Sequence, residues 1–65
     1  MTHAEVVAEL ADIQAGLDEM ELAFIWSAAV FGWKAPARLE PRVERLRVLR
    51  DRVGREAAAR KRGAA

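Results

Sequence analysis

Residues 6–33 read VVAELADIQAGLDEMELAFIWSAAVFGW, and whether they form one helix or several decides the fold. The apolar residues Val6, Leu10, Ile13, Leu17, Met20, Phe24 and Phe31 follow alternating steps of four and three, with Ser27 in the one place no hydrophobe fills. Such a heptad seam belongs to a helix that packs along its length against another. The stretch is therefore predicted to be a single helix. Upstream, Thr2 and Glu5 have capping-box spacing, and Glu5 and Glu9 suit the positive end of the helix dipole, which places helix 1 over residues 3–33.

Helix 1 cannot pass Ala35, because Pro36 lacks an amide donor and pushes its predecessor out of the α region. Gly32 is suited to end the helix slightly earlier, with Trp33 folding back on the last turn. A linker over residues 34–38 leads to Pro41, which is tolerated in a first helical turn. Helix 2 then spans residues 39–61, with the stripe Leu39, Val43, Leu46, Leu49, Val53 and Ala57, followed by a frayed basic tail at 62–65.

No alternating β-rich run interrupts this pattern, so the fold class is all-α, and an antiparallel two-helix hairpin is the compact layout that two helices allow. If facing positions sum to about 70, Phe24 and Phe31 join Leu39 and Leu46 in the core near the loop, and Gly16 meets Gly54 in a close backbone approach. The same register brings Asp18 or Glu19 to Arg52, Glu21 to Arg47 and Arg50, and Glu9 or Asp12 to Arg60 and Lys61. Residues 1–33 carry six acids and no Lys or Arg, whereas residues 34–65 carry eleven bases and four acids, so charges of −6 and +7 hide behind a net +1. The two halves attract each other.

A chain of 65 residues supports one small domain with a marginal core. Without cysteines it has neither a disulfide nor a thiolate metal site, and the lone His3 has no company for a cluster, so association with itself or a larger partner is the remaining source of stability. The N-terminus has no signal-peptide pattern, and the apolar runs fall short of the ~20 residues of a spanning helix. A soluble, cytoplasmic chain is expected. Its Ala- and Arg-rich, Lys-poor usage is that of a GC-rich bacterial or phage gene.

Ten of the twelve residues from Leu22 to Trp33 are apolar, more than one buried stripe requires. At about 100° per residue, Leu22, Trp26, Ala29 and Trp33 fall opposite the phenylalanine seam, behind a strip of Ala4, Ala8, Ala11 and Ala15. These four residues are the expected partner interface. The occupants to weigh are a second hairpin, which would make a four-helix bundle, and a groove on a larger protein.

Two helices cannot enclose a dry catalytic pocket, and no Ser-His-acid set, phosphate loop or paired-carboxylate site is present, so no catalytic, cofactor or metal residues are expected. The pieces Glu21-Leu22-Ala23, Lys34 and Glu40-Pro41-Arg42-Val43-Glu44 faintly resemble the helix-loop-helix of the all-helical chorismate mutases, but helix 1 has no arginine to hold a dicarboxylate, and that chemistry is not expected. A non-enzymatic interaction module is the reading that composition favours. The alternative is a small RNA- or DNA-binding hairpin that uses Arg38, Arg45, Arg52, Arg55, Arg60, Lys61 and Arg62 on phosphates. Glu40, Glu44 and Asp51 on the outward face, and the lack of an aromatic among the bases, weigh against it.

Overall fold

Gln14 to Asp18 is where the heptad reading fails. The computed structural model describes residues 1–64, the side chain of Ala64 aside, and these form three helices: α1 (His3–Gln14), α2 (Glu19–Phe31) and α3 (Glu40–Ala64). The all-α class stands, but the single helix over 3–33 is two, and the two-helix hairpin is replaced by a three-helix fold.

Two local signals break the seam. Ala15 (φ −58°, ψ 131°) and Gly16 (φ 76°) are the central residues of a type II turn, closed by the Leu17 amide donating to the Gln14 carbonyl at 3.3 Å. The third position of such a turn needs positive φ, which glycine adopts without a steric penalty. Asp18 then caps α2: its Oδ1 accepts from the Glu21 amide at 2.8 Å, and Glu21 Oε1 accepts from the Asp18 amide at 3.1 Å. This reciprocal pair repeats the one at the start of α1, where Thr2 and Glu5 form the expected capping box.

The end of α2 follows expectation. Gly32 takes the left-handed conformation (φ 74°, ψ 26°) and donates its amide to the Ala28 carbonyl at 2.9 Å. Trp33 folds back, its ring 5.6 Å from Phe31 and 6.2 Å from Phe24. Pro36 accepts from the amides of Leu39 and Glu40, and α3 starts at Glu40 with Pro41 in its first turn. No frayed stretch opens at residue 62: α3 continues through Ala64, its Ala-rich run favouring helix and Lys61 and Arg62 complementing the negative end of the dipole. Ala65 lies outside the described residues.

Arginines of α3 establish the direction of both other helices. The Met1 amino group meets Glu56 at 2.6 Å, Arg45 reaches Glu9 at 2.8 Å and Asp12 at 2.6 Å, and Arg42 donates to the carbonyls of Ile13 and Ala15, so α1 runs against α3. For α2 the order is reversed: Glu21 pairs with Arg38, the Ala28 carbonyl accepts from Arg47 at 3.0 Å, and the Ala29 carbonyl accepts from Arg50 at 3.3 Å. Thus α2 advances in the same sense as α3. Residues 32–39, which include the turn closed on the Pro36 carbonyl, connect the carboxyl end of α2 to the start of α3.

These contacts replace the expected charge pairs while keeping their logic of an acidic N-terminal half on a basic C-terminal half. The facing sum of 70 fails because α1 is shifted and α2 is reversed relative to a hairpin. Gly16 and Gly54 do not form a close approach either; a Cβ at either position would meet nothing within 4 Å.

α1 and α2 lie on α3 and touch each other little. The core consists of Ile13, Ile25, Ala28, Ala29, Ala35, Leu39, Val43, Leu46 and Leu49, with no buried polar residue among those described. Leu39 and Leu46 are core residues as expected. Phe24 is only half-buried and Phe31 is 69% exposed, because the cap at Asp18 re-phases α2 and turns its alanines toward α3.

Candidate interaction surface

α2 has two apolar faces of different grain. Ile25, Ala28 and Ala29 lie against α3 with exposures of 5% or less. The small side chains let α3 come near enough for Arg47 and Arg50 to reach the last carbonyls of α2, a terminus with no basic residue of its own. Arg42 does the same for the carboxyl end of α1.

The outward face carries the bulk. Met20 is 83% exposed, Val30 52%, Trp33 50% and Trp26 40%, in addition to Phe31. Ala23 is exposed and Ser27 half-buried between them, and no charged residue occurs from Leu22 to Trp33. At the carboxyl end of this face Trp33 stacks on Phe31 and lies tilted against Phe24. Aromatic pairs at such separations hold each other in place beyond simple area burial, so the exposed rings are pre-organised.

Trp26 lies on the flank toward α1. Its indole N–H donates to Gln14 Oε1 at 3.0 Å, and the Gln14 amide donates to the Leu10 carbonyl at 3.2 Å. The ring walls an apolar cleft of about 310 Å³ with Leu10, Leu46, Leu49 and Val53. The four residues expected at the partner interface are thus divided. Trp26 and Trp33 are exposed, Leu22 is half-buried, and Ala29 is turned into the core at 5%, which removes it from any partner surface.

Met20, Val30 and Phe31 were not expected there, since the heptad seam assigned Met20 and Phe31 to the core. The signal that identifies them is Asp18-x-x-Glu21, the same capping pattern as Thr2-x-x-Glu5.

The basic residues also divide. Arg38 is held by Glu21, and Arg45 by Asp12 and Glu9, whose hydrogen bonds raise the Arg45 pKa further above its ordinary value. Arg52 lies 3.8 Å from Glu56. Arg55, Arg60, Lys61 and Arg62 stand exposed on the last turns of α3. Of the seven residues expected at phosphates, three are thus ion-paired and four stand exposed on the last turns of α3.

Among the described residues no three His, Cys, Asp or Glu side chains converge on a metal-sized site, and no helix is long and apolar enough to cross a membrane. Comparisons with protein-family models, with curated proteins and with solved structures found no match.

Proposed function

We propose that this chain is a non-enzymatic protein–protein interaction module, a small accessory or assembly subunit of the cytoplasm whose working surface is the outer face of α2. The observation that carries this reading is the exposure of Met20, Trp26, Val30 and Phe31 on one short helix, with exposed Trp33 just past its end and no charged residue from Leu22 to Trp33. Contiguous apolar patches beyond a few hundred Å² on a small protein mark interaction sites. The proposed interface differs from the sequence expectation by leaving out Leu22 and Ala29 and adding Met20, Val30 and Phe31. A photoreactive benzoyl-phenylalanine at Val30, in the cells that make the chain, is expected to give protein adducts, while the same group at exposed Ala58 gives few. Absence of any adduct from position 30 contradicts the reading.

A second reading is favoured by one observation: Arg55, Arg60, Lys61 and Arg62 are exposed on α3 beyond its packed part, where Glu56 is the only acid and is engaged by the Met1 amino group. Such a helix end suits salt-sensitive contact with RNA or DNA phosphates. Electrophoretic shift at two salt concentrations tests it, with loss of binding at the higher one expected and no shift at either as the contrary result.

A further inference from the structure

The interaction reading leaves the occupant of the outer α2 face open, and charge and register on that face specify one. With Ile25, which faces α3, at zero and about 100° per residue, Glu19, Ala23, Ser27 and Val30 fall between about 120° and 200°, with Met20 and Phe31 just beyond. Glu19 stands at the amino end of this face, and Lys34 just past its carboxyl end. Both are exposed, and neither has an ion-pair partner among the described residues.

Resting on that reading, we propose that the face is covered by a second copy of this chain, with the two α2 helices antiparallel about an axis between Trp26 and Ser27. Counting outward from that axis along the helices sets Ala23 against the partner's Val30, and the amino end of each α2, with Glu19, meets the carboxyl end of the other, past which Lys34 follows. The unpaired charges meet with opposite sign at both ends, and the helix dipoles oppose. A parallel pairing would set Glu19 on Glu19 and Lys34 on Lys34. Small Ala23 and Ser27 near the middle permit close approach of the two backbones.

Met20, Trp26, Val30, Phe31 and Trp33 are each between 40% and 83% exposed, and covering all five in both copies would bring the pair to about the 1,000 Å² at which specific interfaces begin. Two three-helix chains joined this way make a six-helix assembly instead of the four-helix bundle that two hairpins would form.

The test is the molar mass of the full chain in solution, by light scattering behind size exclusion, at about 50 μM. The expected mass is twice that of the 7.2 kDa chain. Glu19→Lys alone and Lys34→Glu alone are each expected to weaken the pair roughly tenfold, and the two together to restore it to within about threefold. Val30→Glu should weaken it about 100-fold with helical circular dichroism retained. The charge reversals lie at exposed positions that leave the core untouched, so they remain informative if Val30→Glu fails to fold. A monomeric parent chain, or a pair indifferent to the charge reversals, overturns the inference. If the chain is monomeric while the group at position 30 captures another protein, the second-copy inference fails and the interaction reading survives; if neither association nor adduct is seen, both fail.

Discussion

On its inner side α2 presents Ile25, Ala28 and Ala29, and on its outer side Met20, Val30 and Phe31. A monomer gaining most from the hydrophobic effect would place these the other way round, since each large side chain moved out of water contributes about 1.5–3 kcal/mol. The inner face instead sacrifices bulk for proximity, which lets two arginines of α3 terminate α2. The outer face keeps the bulk, where a partner can use it. On the proposed function, stability and association use opposite sides of one helix, and substitutions on the two sides should separate them.

Ile25→Ala is expected to have the largest effect on folding, costing about 2–5 kcal/mol because the site is fully buried, with a matching loss of helical signal in urea titration. Phe31→Ser on the other side should lower that titration by no more than about 1.5 kcal/mol for the monomer, the worth of its stack on Trp33, while weakening association. Ala28→Leu tests whether proximity matters: overpacking against α3 should cost about 1–3 kcal/mol, whereas a neutral result would mean the inner face has room to spare. Gly16→Ala should cost about 1 kcal/mol by thermal melting although open space surrounds the position, because its φ is +76°.

The smallest effect concerns acid. Arg38's hydrogen bond first, and the Asp18 amide next, hold the Glu21 carboxyl below its ordinary range; the Met1 amino group does the same for Glu56. A folded pKa below the unfolded one gives a contribution that is complete above about pH 5 and lost as pH falls through the folded value. The thermal midpoint should therefore be level near neutrality and fall in acid, and Glu21→Gln should make that fall shallower. An acid limb unchanged by the substitution removes Glu21 from the account.

Much of this architecture is legible in residues 32–53. Gly32, Pro36 and Pro41 mark the end of one helix and the start of another, and the stripe Leu39, Val43, Leu46 and Leu49 is the buried edge of α3. The opposite charges of the two halves also find each other. The break at Ala15–Asp18 is hidden because Leu17 and Met20 happen to continue the heptad across a chain reversal, and periodicity carries no record of direction. Two local features, a glycine suited to a type II turn and a second capping box, outweigh the seam physically, since each stabilises a particular backbone conformation while an apolar spacing only permits one. The surface was half legible for the same reason. Trp26 and Trp33 stand out by composition alone, but Ala29, Met20 and Phe31 change sides once Asp18 starts a new helix.

The central claim, that a second copy covers the outer face of α2, is tested most directly at Trp33. In a Trp26→Phe chain the remaining indole reports on that face alone, and acrylamide quenching can be followed from about 0.1 to 100 μM protein. Pairing of two α2 helices requires Trp33 to be accessible in the dilute chain and protected in the concentrated one, with a midpoint that moves upward in Glu19→Lys. Quenching that stays high and constant over the whole range, in a chain that remains helical, would contradict it.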